Sequence, residues 1–145
     1  MPSRVPRGVE RIRTSRRTHY NRLVYSAEVL DHFQNPRNAG QVASPDRAAQ
    51  LENPVCGDIL ELTLCLEGTT LEGRRIVDIR FRAKGCVPAM ACGSAITELV
   101  KGKSAEEARK VSREELVQKI GGLPPASAHA SHLAIDTLAA LLRSV

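Results

Sequence analysis

Residues 59–66 read Ile-Leu-Glu-Leu-Thr-Leu-Cys-Leu, and residues 76–83 read Ile-Val-Asp-Ile-Arg-Phe-Arg-Ala. In the first stretch Leu60, Leu62, Leu64 and Leu66 share one parity, and Glu61, Thr63 and Cys65 the other. Successive side chains alternate faces along a strand, so the pattern predicts a strand with one apolar and one polar face. The second stretch repeats it, with Ile79, Phe81 and Ala83 inward and Asp78, Arg80 and Arg82 outward. Residues 68–73, with glycine at both ends, are short enough to join the two as an antiparallel pair.

Outward from this pair the pattern turns helical. Ser26 is a good N-cap for a helix running to about Asn35, with Val29, Leu30 and Phe33 expected inward and Asn35-Pro36 as its stop. Residues 41–55, with Pro45 and Pro54 as breakers, read as polar and irregular. After Gly85-Cys86 a helix is expected from about Pro88 to Lys101. Ser104 and Ser112 each cap a shorter one, the second ending at Gly121-Gly122. Leu123-Pro124-Pro125 is a stiff link to a last helix from near Ser127, striped by Ile135, Leu138, Leu141 and Leu142. Strands followed by helices argue for an α+β fold, a small antiparallel sheet packed on one face by helices.

The composition narrows the function class. With 145 residues the chain is long enough for one self-sufficient core. It holds no Trp, two Phe and two Tyr, so the core must be aliphatic and no base-stacking platform exists. The net charge of +5 is unevenly placed. Residues 1–22 carry seven arginines against Glu10, which leaves 14 basic and 15 acidic of the chain's 21 and 16 for the rest. Residues 1–23 are therefore expected to be an Arg-rich, disordered arm, and residues 24–145 a nearly neutral domain unsuited to nucleic acid. The arm is read first as solvated chain or as a start codon placed too early, then as a transit peptide, and last as a nucleic-acid-binding tail. Four cysteines without a secretory signal are expected of a reduced, cytoplasmic protein, and no apolar run is long enough for a membrane span.

Chemistry concentrates at element boundaries. Cys56-Gly57-Asp58 precedes the first strand, Gly85-Cys86 follows the second, and His129 opens the last helix. Together Cys56, Asp58, Cys86 and His129 could close a four-ligand shell around zinc or iron. If the strand period extends back from Leu60, Cys56 and Asp58 point the same way. Ahead of a helix N-terminus Cys86 is expected to have a lowered pKa, and His129 in a first turn to stay neutral. His132 shares only spacing with His129 and is read as a surface residue. Cys92 falls on the inner stripe of its helix and is read as core; Cys65 lies on a polar strand face with no evident partner. There is no Gly-rich phosphate loop, nucleophile elbow or Cys-x-x-Cys pair.

These pieces resemble the IscU/NifU amino-terminal-domain family, the scaffolds of iron–sulfur cluster assembly. The resemblance spans residues 24–143 through Tyr25-Ser26 to His32-Phe33, Asn35-Pro36-Arg37-Asn38, Cys56-Gly57-Asp58, Phe81 to Gly85-Cys86, Thr97-Glu98, Lys101 to Ser104, and Leu123-Pro124-Pro125 with His129. It implies a SufE/NifU-like fold of about three strands. It places the family's ligands at Cys56, Asp58, Cys86 and His129. The family's third cysteine, the usual acceptor of persulfide sulfur from a cysteine desulfurase, is replaced by Ala130. Cys86 and Cys92 are the candidate substitutes. The family's Leu-Pro-Pro-Val-Lys segment, read by a specialised Hsp70-type chaperone, continues here as Ala126-Ser127, which weakens that contact.

The resemblance implies a non-enzymatic scaffold that binds iron and a transient [2Fe–2S] cluster and passes it to recipient apoproteins. A homodimer sharing Cys56 and Cys86 from each chain is an alternative ligand arrangement. Two rival readings are a zinc-binding sulfur acceptor of the SufU type, whose characteristic insertion is missing here, and a regulatory or iron-binding module that does not assemble clusters.

Overall fold

The computed structural model describes residues 24–68, 74–143 and 145, so the arginine-rich arm lies outside the described residues. Helix α1 spans Ala27–Gln34, with the Ser26 hydroxyl accepting from the Val29 amide as its cap. Strands β1 (Arg47–Glu52), β2 (Ile59–Glu67) and β3 (Arg75–Lys84) follow. After them come helices α2 (Val87–Val100), α3 (Ala105–Arg109), α4 (Arg113–Lys119), a 3-10 turn (Pro125–Ser127) and α5 (Ala128–Leu142). The sheet order is β1-β2-β3 with both pairings antiparallel. Helix α2 packs on β3 and α1, and α5 on β1, β2 and α2, which makes the helical layer one-sided.

Leu60, Leu62 and Leu64 are fully buried beside Ile79 and Phe81, as the alternation predicts. The stretch read as irregular contains a strand. Arg47–Glu52 pairs with Ile59–Leu64, so β1 and β2 form a hairpin whose loop is residues 53–58. A bulge between Cys65 and Leu66 shifts β3 by one residue: Ile76 is buried and Val77 exposed. Thr63, expected on the wet face, is buried because the loop before β1 crosses it and the Val42 amide donates to its hydroxyl at 3.0 Å.

In α1, Val29 and Leu30 are buried but Phe33 is exposed, and His32 takes the inward place. His32 Nδ1 lies 2.8 Å from Ser94 Oγ, which also accepts the Arg37 amide at 2.8 Å. This network holds α1 and its exit loop on α2. Burial, followed by the nearby Arg37 guanidinium, lowers the His32 pKa below 6.5, while Glu98 and Asp31 oppose and Lys119 adds to the lowering. The unfolded chain then binds the proton more readily than the folded one, so stability is retained above about pH 6.5 and lost as pH falls below it. Urea midpoints between about pH 7.5 and pH 5 should fall more steeply for wild type than for His32→Gln. Equal slopes would mean that His32 does not titrate differently in the two states.

Candidate metal centre

Three element ends meet at one end of the sheet. The first is the β1–β2 hairpin loop. Asn53 closes it: its amide donates to Asp58 O at 2.8 Å, its carbonyl accepts from Gly57 N at 2.7 Å, and its side chain accepts from Val55 N at 2.9 Å. Gly57 supplies the positive φ of +78° that the turn requires. Strand β2 begins only at Ile59, so the strand period does not extend back to Cys56. Cys56 is exposed on the loop and Asp58 is 5 % exposed, yet the turn between them brings their ligand atoms within 4.8 Å of each other.

The second end is the β3–α2 connection. Ile59 pairs with Lys84, which brings Gly85-Cys86 beside Asp58. Cys86 is the N-cap residue of α2, and its Sγ donates to Asp58 Oδ2 at 3.0 Å. The third is the first turn of α5, where His129 Nε2 stands 3.7 Å from Asp58 Oδ2. The ligand atoms of Cys56, Asp58 and His129 all lie within 4.8 Å of one another, with the Cys86 thiol alongside on Asp58.

The expected lowering of the Cys86 pKa is reversed: it is pushed up to about 11. Burial is the main cause and the hydrogen bond to Asp58 the next, and both outweigh the Ala89 amide at the helix N-terminus. The helix end does act in the direction expected, but a carboxylate accepting the thiol proton favours the protonated form. Metal binding at Cys86 must therefore displace a proton. Bonds of about 2.0–2.3 Å around one tetrahedral ion separate its donors by up to about 4 Å. The 4.8 Å grouping is near that limit and the exposed Cys56 loop can close the difference, so the donor set fits a zinc or iron ion.

The remaining candidates fall elsewhere. Cys92 is fully buried in the core, as the helical stripe predicts, with its thiol pushed up to about 12 by burial. Cys65 Sγ faces Ser44 O at 3.5 Å on the outer side of the sheet. His132 is exposed. Ala130 is 1 % exposed and belongs to the hydrophobic core. Sequence reading assigned Gly85 a turn, and missed that it makes room for Asp58. A Cβ there would lie 2.5 Å from the Asp58 Cγ. It also missed Asn53, whose place before Pro54 is an Asx-turn signal. Among the described residues no helix is long and apolar enough to cross a membrane.

Comparison with known proteins agrees with this architecture. The family described as NifU-like N terminal domain matches residues 24–144. The iron–sulfur cluster assembly scaffold protein IscU 1 of Archaeoglobus fulgidus is 43% identical over 115 residues, 79% of this chain and 72% of that protein. The scaffold protein IscU of Escherichia coli is 35% identical over 123 residues, 83% of this chain and 92% of that one. Among solved structures, FiSufU of Fervidobacterium islandicum AW-1 superposes with a TM-score of 0.68 at 21% identity, covering 83% of this chain and 97% of that one. This chain belongs to the NifU-like N-terminal domain family.

Proposed function

We propose that this protein is a scaffold on which a [2Fe–2S] cluster is built and from which it is transferred. One observation carries the reading: two thiols, a carboxylate and an imidazole from three separate elements converge at one end of the sheet. Iron and sulfide are the cargo here, and the side chains set how firmly it is held. Cys56 and Cys86 supply soft thiolate donors, while His129 and Asp58 supply weaker ones. A carboxylate oxygen is a poor match for a soft cluster, and replacing thiolate by imidazole reduces the negative charge around it. Both favour release, which a donor needs and an electron carrier does not. Ala130 adds to this by leaving two thiolates per chain at the site. The source of sulfur would be a cysteine desulfurase and the recipients iron–sulfur apoproteins.

The test is iron, zinc and acid-labile sulfide content after anaerobic purification, with a visible spectrum, before and after reconstitution with ferrous iron and sulfide. Iron and sulfide in equal amounts with charge-transfer absorption are expected. The absorption should be lost in Cys56→Ala and Cys86→Ala, while Asp58→Ala should keep the thiolate bands but hold iron more weakly. Zinc alone, unchanged by reconstitution, would replace this reading with that of a zinc-bound sulfur acceptor. Unchanged spectra in both cysteine variants would remove cysteine ligation.

A further inference from the structure

The two edges of the sheet differ. The outer edge of β3 is closed by other parts of the chain: Phe81 N donates to Asn38 O at 2.9 Å and Gly40 N to Phe81 O at 2.8 Å. Further along, Ile76 N donates to Lys103 O and Gly102 N to Ile76 O, each at 2.8 Å. Strand β1 forms the other edge, and among the described residues it pairs with β2 alone. Asn53 N donates to Asp58 O at the end of that hairpin. Bonded and non-bonded pairs alternate along an antiparallel ladder, so Leu51 and Ala49 also bond to β2. Ala48, Gln50 and Glu52 then turn their amides and carbonyls outward, and all three residues are exposed. Among the described residues no backbone group meets that row.

Open edges are commonly protected by proline, lysine or a bulge. Arg47-Ala48-Ala49-Gln50-Leu51-Glu52 holds neither residue, and its register on β2 runs unbroken from Arg47 opposite Leu64 to Glu52 opposite Ile59. The strand is also complementary to its own reverse. It starts with a cation and ends with an anion, so an antiparallel copy brings each Arg47 to the end where the other chain's Glu52 lies. A parallel copy would set like charges together. A two-fold axis through Gln50 matches the outward groups, with Gln50 facing Gln50 and Ala48 facing Glu52. A side-chain amide both donates and accepts, so the two Gln50 side chains can bond to each other. On the helical side the same axis sets Ala49 against Leu51. Both are half-buried and packed on the core, so the apolar layer continues from one copy into the next.

We propose that β1 is the surface through which two copies of this chain associate, as an antiparallel β1–β1 pair that joins their sheets into one. The contact is short, below the roughly 1,200–2,000 Å² of a stable interface, so the association is weak and reversible. In this pairing Asn53 comes opposite Arg47 of the other copy. At about 3.3 Å per residue along β1, the two β1–β2 loops then lie about 20 Å apart. Each metal centre therefore keeps the donors of its own chain. Pairing at β1 is distinct from a dimer that shares Cys56 and Cys86 around one cluster. It needs only the strand, so it stands whether or not the centre carries a cluster.

Sedimentation velocity of the full chain between about 10 µM and 1 mM tests this, with reductant and chelator present to exclude disulfide and metal bridges. A reversible monomer–dimer equilibrium is expected, with half-association between about 50 and 500 µM. Gln50→Lys sets like charges face to face at the axis and should weaken association at least about tenfold, as should Gln50→Glu. Mixing these two variants should restore it, because opposite charges then meet. Position 50 is exposed on the outer face of the sheet, so both variants should keep the wild-type far-ultraviolet dichroism. In the wild type, the amides of Ala48, Gln50 and Glu52 should exchange with deuterium about threefold more slowly at the high concentration. A chain that stays monomeric to about 1 mM would overturn the proposal and leave the edge to an extended segment of another protein. A dimer that Gln50→Lys does not weaken would overturn it by placing the contact on another face. A mixture of the two variants that stays monomeric would overturn the two-fold axis at Gln50.

Discussion

Gly85→Ala is expected to weaken metal binding about hundredfold while leaving the fold in place. Gly85 joins β3 to α2 at φ +152°, a conformation that side-chain-bearing residues rarely adopt. The larger effect is steric. A methyl group there would sit 2.5 Å from Asp58 Cγ and 2.9 Å from Asp58 Cβ, closer than such contacts occur. Asp58 cannot swing away cheaply, because it is 5 % exposed, accepts the Cys86 thiol and faces His129. Either Asp58 leaves the group or Cys86 is carried away from it. Changes in the groups that orient metal ligands typically cost 10–100-fold in affinity, and displacing the shared carboxylate should cost about hundredfold or more. Cobalt(II), titrated through its thiolate charge-transfer absorption, would read this directly. The far-ultraviolet dichroism should not change, and the strain should lower stability by only about 1–3 kcal/mol. Gly57→Ala is the control: its φ is +78°, but a Cβ there meets nothing within 4 Å. It should share the backbone strain and keep cobalt affinity. Equal affinity in Gly85→Ala and wild type would mean that Asp58 does not have to stay where it is for metal to bind.

The contrast between these two glycines also marks how far the sequence can be read. Strands β2 and β3 were legible because four leucines at period two leave no other reading, and the serine caps and glycine stops marked the helices. Strand β1 was not legible. Arg47-Ala48-Ala49-Gln50-Leu51-Glu52 has one large apolar residue, and its strand character comes from hydrogen bonding to β2 and from α5 packed across it. Both are tertiary effects. The phase of α1 failed for a related reason: Ser94, 62 residues away, gives His32 a buried partner, so the imidazole goes inward and Phe33 outward. The residues proposed as ligands were readable from type and family spacing. Their electrostatics were not, because the state of Cys86 is set first by its burial in the fold and then by a carboxylate 28 positions earlier.

The second large effect is expected at Gly93, in the middle of α2. Alanine in a helix interior is favoured over glycine by about 1 kcal/mol, so propensity alone predicts a gain. Packing predicts the reverse and should win. A Cβ at position 93 would lie 2.7 Å from Phe81 Cδ2 and 3.0 Å from Leu60 Cδ1. Helix α2 cannot retreat, since Ala91, Cys92, Ala95 and Ile96 are fully buried around it and α5 closes its other side. Overpacking of this kind costs about 1–3 kcal/mol, and urea unfolding should place Gly93→Ala below wild type by an amount in that range. Phe81→Leu alone should also destabilise, because it leaves a void under α2. The two changes together should cost less than their sum by at least about 1 kcal/mol, since the space vacated by the ring admits the new methyl. Strict additivity would show that the Phe81 contact does not set the distance between helix and sheet. That distance matters at the metal-ligating end, because Cys86 begins α2 only two residues after β3 ends. Gly93→Ala should therefore weaken cobalt binding as well, and adding Phe81→Leu should restore affinity along with stability.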